Sequence, residues 1–205
     1  MNDPWLIYAM KIQNIAQTGL AYAKDPYDKE RYAELREIAV RMIGDRCDLP
    51  TEKIRDLLAG ESGYPTPKVD TRAAIFEGGK ILLVHEKNGT WSLPGGWCDA
   101  DMSVADNTVK EVKEETGLDA SVLRLIAVQD WRRHNVCNYL FGVVKVFLLC
   151  RAAGGTFREN IETDGIRYFA KDELPDNLAT EKCTKEQILL CFSAAENPAW
   201  QPPVD

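Results

Sequence analysis

Apolar positions divide the chain into two textures. Over the first sixty or so residues they recur at helical spacing. Asp3-Pro4 reads as a helix start, an N-cap acceptor followed by proline at the first helical position, and a wide apolar face (Trp5, Leu6, Met10, Ile15, Leu20) carries the helix to about Leu20. A second helix is predicted from Asp28, with Tyr32, Leu35, Ile38, Ala39 and Met42 at helical spacing and Gly44 as its stop. A third runs from Thr51 through Ile54, Leu57 and Leu58 to Gly60. Glu61-Ser62-Gly63-Tyr64-Pro65-Thr66-Pro67 then reads as a linker, because two closely spaced prolines suit neither a helix nor a central strand.

From Lys68 the pattern turns strand-like. Val69–Phe76 and Lys80–His85 form two predicted strands joined across Glu77-Gly78-Gly79, a hairpin signal. Trp91–Gly96 is a glycine-rich turn, and Ser103–Thr116 a helix opened by Ser103 with Asp106 three residues on and closed by Gly117. Strand-like runs follow at Ser121–Gln129, Tyr139–Arg151 and Ile166–Ala170, with a last helix over Thr184–Ala195. Strands and helices without regular alternation predict an α+β fold. The expected division is a helical domain over 1–63, a linker at 64–67, a second domain over 68–196 and a tail at 197–205 anchored by Trp200.

Composition narrows the partners. A net charge of −7 argues against a general polyanion binder, so nucleic acid is not an expected partner, although a small anion held by a metal and local cations remains compatible. No apolar run is long enough to span a bilayer, and Asp3 and Lys11 interrupt the N-terminal apolar stretch, which therefore does not read as a secretory signal. The six cysteines, Cys47, Cys98, Cys137, Cys150, Cys183 and Cys191, include no C-x-x-C pair, and only His85 and His134 could complete a zinc site. Small buried thiols in a reducing cytoplasm are the expectation.

Candidate chemistry sits on the helix Ser103–Thr116. At about 100° per residue, Ala105, Val109, Val112 and Thr116 share one side, while Glu111, Glu114 and Glu115 gather on the other with Asn107 among them. Like charges so close raise one another's pKa unless a cation offsets them, and magnesium, a hard cation that takes carboxylate and phosphate oxygens, suits that task. An acidic wet face alone is ordinary. What sets this one apart is Leu93-Pro94-Gly95-Gly96 just before it, a turn that permits close backbone approach to a ligand.

The stretch Gly96–Leu118 resembles the Nudix box, G, five residues, E, seven residues, then R-E-U-x-E-E-x-G-U with U a bulky apolar residue; Lys110-Glu111-Val112-Lys113-Glu114-Glu115-Thr116-Gly117-Leu118 fills the second half. The resemblance covers about Lys68 to Leu190 and implies a mixed-sheet α/β/α sandwich, with the preceding helices outside the common fold. It implies metal binding by Glu111, Glu114, Glu115 and the Gly96 carbonyl, with Mg²⁺, or Mn²⁺, as cofactor. Met102 stands at the first glutamate of the pattern and Lys110 at its arginine, and Asp99 or Asp101 are candidates for the missing acid.

The implied reaction is attack of water on the phosphoanhydride of a nucleoside diphosphate linked to another group. Glu114 is the expected general base; Glu162, in a later acidic loop, is the alternative. Trp131, Arg132, Arg133 and His134 are expected to bind substrate, through cations for phosphate and a ring for stacking. Architecture resembles the bacterial subgroup that includes CDP-choline pyrophosphatases, which places CDP-choline before ADP-ribose. A nucleotide-binding regulator that has lost cleavage is the contrasting reading, and an RNA-processing hydrolase is disfavoured by the acidic balance. The wide apolar faces of the first helices predict a homodimer.

Overall fold

The computed structural model describes residues 4–45, 50–59, 63–136 and 139–205. The expected Asp3 cap, the Gly60 stop, Glu61 and Ser62 of the linker, and Cys47 and Cys137 lie outside them. Residue contacts divide the chain into two compact units, Met1–Pro67 with Asn138–Gly142, and Lys68–Cys137 with Val143–Asp205.

The first unit holds α1 (Pro4–Tyr22), α2 (Pro26–Gly44) and α3 (Thr51–Ala59). The start of α2 lies earlier than expected. Asp25 accepts hydrogen bonds from the N–H groups of Tyr27 and Asp28, and Pro26 takes the first turn, so the cap precedes Asp28. Ala9, Val40, Ile43 and Ile54 are the centre of its core, and Leu140 packs against them. That contact corrects the predicted strand at Tyr139–Arg151: Leu140 belongs to the helical unit, Tyr139 and Phe141 stack with ring centroids 5.4 Å apart, and the strand begins only after Gly142. Among the described residues, no helix is long and apolar enough to cross a membrane.

The second unit contains β1 (Lys68–Glu77), β2 (Lys80–Glu86), β3 (Trp91–Ser92), α4 (Val104–Thr116), β4 (Leu118–Asp130), α5 (Trp131–His134), β5 (Val143–Gly155), β6 (Thr163–Phe169) and α6 (Lys185–Glu196). The strands form one mixed sheet in the order β3-β2-β1-β5-β4, with β6 on β2. Among the described strands β1 and β5 pair in parallel, with Asp70 opposite Lys145 and Ala74 opposite Leu149. Alternation along the strands sends Ala74, Ile81, Leu83 and Phe147 to one face under Ile188, Cys191 and Phe192 of α6. Ala73, Ile75, Leu82 and Leu148 go to the other face, under Val112 of α4. The result is an α+β fold in which helices cover both faces of a mixed sheet, the α/β/α sandwich that the resemblance implies, and a helical region precedes it in the chain.

The segment after α6, the expected tail, is tied to β4 at more than Trp200. Trp200 donates its indole N–H to the Ile126 carbonyl at 2.8 Å, and Val204 bridges to Val128 in parallel. The Asp205 carboxylate accepts from the Asp130 N–H at 2.9 Å. The chain end thus pairs with backbone groups of β4, which lies at the end of the sheet order.

Candidate active site

The turn before α4 is laid along β1. Thr71 N–H donates to the Gly96 carbonyl and Ala73 N–H to the Pro94 carbonyl, both at 2.8 Å, and Cys98 N–H reaches the Val69 carbonyl. Gly95 has φ 142°, and a Cβ there would sit 1.9 Å from the Thr71 carbonyl oxygen, so only glycine lets the two backbones approach this closely. Its N–H donates to Glu115 Oε2 at 2.8 Å.

Helix α4 starts where Ser103 accepts from the Asp106 N–H at 3.1 Å and ends at Gly117, which is left-handed at φ 70°. Asn107, wholly buried, donates to Thr71 Oγ1 at 3.1 Å and accepts from the Asp99 N–H, which fixes the helix against β1 and the turn. The three glutamates then meet different surroundings. Glu115 is 5% exposed, Glu111 is mostly covered, and the Glu114 side chain is 58% exposed. Burial pushes the Glu115 carboxyl up to about 7, against the opposing pull of Arg72, the Gly95 N–H and Lys182. Burial raises Glu111 as well, reinforced by the negative charges of Glu114 and Glu162 and opposed by Lys110 and Arg72.

Lys110 stands where the pattern has arginine, and its ammonium lies 2.9 Å from Asp99, 3.6 Å from Glu114 and 3.9 Å from Glu111. Asp99, one of the two acids considered as stand-ins, is thus an ion-pair partner of that cation. Glu162 is brought to the same place by a turn with no sequence signature. Asn160 donates to the Glu114 carbonyl at 3.0 Å and to Thr163 Oγ1 at 2.7 Å, while Thr163 Oγ1 donates to the Glu115 carbonyl at 2.8 Å. Side chains of this turn therefore satisfy carbonyls at the end of α4 that have no helical partner.

A second set of charges lies buried in the sheet beside this site. Arg72 and Asp70 are 4% and 3% exposed, and Lys145 is wholly buried. Arg72 Nε donates to Asp70 Oδ1 at 2.9 Å and its Nη1 to the Leu93 carbonyl at 3.2 Å. Lys145 donates to Asp70 Oδ2, and to the Lys182 carbonyl at 2.8 Å. Burial disfavours the charge of Arg72, but Asp70 and Glu115 more than offset it and raise its pKa; for Lys145 burial prevails over Asp70, and its pKa falls. None of these residues was among the expected site residues. Their sequence signal was a lone charge inside an apolar strand run, as in Val144-Lys145-Val146.

Within Trp131–His134, one residue departs from its expected role. Trp131 is 2% exposed, so its ring faces the interior and presents no stacking surface. Arg132 is committed to Asp130 at 2.6 Å and His134 to Asp205 at 2.7 Å, whereas Arg133 is exposed.

The arrangement fits a hard cation by donor type: carboxylate oxygens crowded together, two of them shielded from water, beside the Gly96 carbonyl. Glu111 Oε2 would lie 2.8 Å from a Cβ placed on Gly96, so carboxylate and carbonyl residue are immediate neighbours. Among the described residues no three His, Cys, Asp or Glu side chains already stand as a closed metal cage.

Comparison with known proteins identifies this combination. The chain matches the NUDIX domain family over residues 66–190. It belongs to the Nudix hydrolases. Residues 3–58 match a second family, the UDP-X-like N-terminal oligomerisation domain. A Bacillus subtilis protein named "Putative ADP-ribose pyrophosphatase YjhB" is 43% identical over 195 residues, covering 95% of this chain and 93% of that protein. A solved structure of a Streptococcus suis ADP-ribose pyrophosphatase is 51% identical with a TM-score of 0.64, covering 68% of this chain and 100% of its own. A UDP-X diphosphatase structure is 37% identical with a TM-score of 0.65 and covers 98% of both chains. The chain is a Nudix pyrophosphohydrolase; nucleoside diphosphate-linked compounds are the substrate class of these enzymes, and divalent cations such as magnesium their usual cofactors.

Proposed function

We propose that this Nudix hydrolase cleaves the phosphoanhydride of a nucleoside diphosphate conjugate, with ADP-ribose as its first substrate and CDP-choline and UDP-linked sugars after it. Water adds across the P–O–P bridge, giving a nucleoside monophosphate and the phosphorylated remainder. The observation that carries the reading is the pressing of two shielded carboxylates, Glu111 and Glu115, against the Gly95-Gly96 turn.

Glu111, Glu115, Glu114 and the Gly96 carbonyl would hold Mg²⁺, or Mn²⁺, which when bound supplies neutralisation of phosphate charge and a more acidic water. Glu114, the most open of the three at 58% side-chain exposure, takes the proton of the attacking water at its carboxylate. Lys110, bonded to Asp99, sets a positive charge 3.6 Å from Glu114. Glu162 is the alternative acceptor, because its charge reaches Glu111. Gly95 N–H and Arg72 keep Glu115 directed inward.

The expected order of substrates is revised. CDP-choline came first on architecture and the Asp130–Asn135 segment, whereas ADP-ribose is the activity in the names of the Bacillus and Streptococcus relatives. The homodimer remains part of the proposal. Trp5, Tyr8, Ile15 and Tyr22 of α1 are 55%, 57%, 53% and 66% exposed, and the region matches an oligomerisation family. The protein is placed in the cytoplasm on its cysteine usage.

The test is product analysis by ion-exchange chromatography on ADP-ribose, CDP-choline and UDP-glucose, with magnesium, with manganese and with chelator. Metal-dependent release of AMP from ADP-ribose, faster than CMP or UMP from the others, is expected. Absence of any nucleoside monophosphate from the whole panel would overturn the reading.

A further inference from the structure

A cation faces this site from the segment before α6, and neither the Nudix motif nor helical periodicity accounts for it. Lys182 places its ammonium 2.7 Å from Glu86 Oε1, and 32% of its side chain is open to solvent. Glu86 is itself buried and accepts a second bond from Ser92 Oγ at 2.8 Å. A buried, doubly bonded carboxylate gives a long, flexible side chain a fixed direction.

The backbone of the same residue is held as well. The wholly buried Lys145 donates to the Lys182 carbonyl at 2.8 Å, and the Lys182 N–H reaches the Ala179 carbonyl at 2.8 Å. Next along the chain, Cys183 Sγ accepts from the Leu93 N–H at 3.3 Å, which seats the segment against the residue that opens the Pro94-Gly95-Gly96 turn. Lys182 is close enough for its charge to act on Glu115, the carboxylate bonded to Gly95. The Lys182–Cys183 segment and the acidic cluster are therefore both seated at the turn that runs from Leu93 to Gly96.

Neutralising Glu86 alone would not require that exposure. An ammonium has three donors, and Glu86 takes one side of it. A polyanionic substrate approaching a chain of net charge −7 at an acidic cluster needs a local cation with donors to spare. We infer that Lys182 is a substrate-binding residue that takes a phosphate oxygen of the nucleoside diphosphate, aimed by Glu86 and supported from beneath by Lys145. This inference rests on the hydrolytic reading above.

The test uses the full-length protein, magnesium and the conjugate that the wild type cleaves fastest. Lys182→Gln is expected to raise KM about tenfold while kcat changes less than about threefold, the signature of a lost binding contact. Lys182→Arg is expected to restore most of that loss, since it keeps the charge. The wild-type KM is expected to rise with ionic strength, and that rise to flatten in Lys182→Gln. Lys182→Gln leaves the Glu86 carboxylate without its ammonium, so the double substitution Glu86→Gln with Lys182→Gln removes both charges and is expected to show the same KM. Unchanged KM in either variant, or a loss confined to kcat, would overturn the assignment of Lys182. A wild type that cleaves no conjugate removes both the assignment and the hydrolytic reading, at the first measurement.

Discussion

Helix α4 and the buried strands beneath it both concentrate charge, yet they do so in opposite ways. On α4 and the loop before it the carboxylates outnumber their cation: Glu111, Glu114 and Asp99 share the single ammonium of Lys110. In the sheet, Asp70 meets two cations, Arg72 and Lys145, and the bonds close on backbone carbonyls of Leu93 and Lys182. The first region is left short of positive charge and turned toward solvent at Glu114, whereas the second is satisfied and sealed. An acidic excess near water invites a cation and a substrate; a buried, saturated network fixes backbone. Glu115 joins the two, receiving Gly95 N–H on one side and the field of Arg72 on the other.

The largest effect is expected where the two regions meet. Gly95→Ala forces a Cβ to within 1.9 Å of the Thr71 oxygen at a φ of 142°. It is expected to cost about 3 kcal/mol or more and to abolish turnover, read by thermal unfolding and activity together. Next comes Lys145→Met, which leaves Asp70 short of a buried partner and is expected to cost about 3–5 kcal/mol in denaturant unfolding. Glu114→Gln on the exposed side should shift stability by less than about 0.5 kcal/mol. If Lys145→Met were as mild as that, the contrast between the regions would dissolve.

A smaller effect follows from pH. The Glu115 carboxyl is raised from its ordinary 4.5 to about 7 in the folded protein, so in the absence of metal the native state binds the proton more tightly than the unfolded chain. Its contribution to stability is complete at low pH and is lost as pH rises from about 4.5 toward 7 and beyond. The melting temperature of wild type minus that of Glu115→Gln should therefore fall over this interval, and added magnesium should reverse the fall by favouring the ionised form. A difference that stays flat would remove the burial of Glu115 from the account. As small as Glu114→Gln, Lys113→Ala breaks an exposed ion pair to Asp119, with side chains 54% and 64% open, and should change stability by less than about 0.5 kcal/mol.

The same contrast explains what was legible in the sequence. The α4 acids were readable because a helix brings i, i+3 and i+4 together whatever else the chain does. Gly95 and Gly96 were readable as a turn for a similar local reason. The Asp70–Arg72–Lys145 network was not, because it depends on the parallel pairing of β1 with β5, a register that joins residues 75 apart in the chain. Asn160 was equally silent, since its bonds to the end of α4 come from a turn 46 residues downstream. Trp131 misled for the opposite reason: an aromatic beside arginines suggested a ligand surface, and the fold buried the ring. Residues Asn197–Asp205 read as a tail because proline-rich composition hides their pairing with β4.

The most direct measurement is magnesium-dependent turnover of Glu114→Gln and Glu115→Gln beside the wild type, each shown to be folded by circular dichroism. The acidic edge of α4 is expected to be the catalytic centre, so both variants should lose at least about a hundredfold in kcat/KM, a change of about 2.7 kcal/mol in the barrier. Folded variants that turn over at the wild-type rate would contradict it.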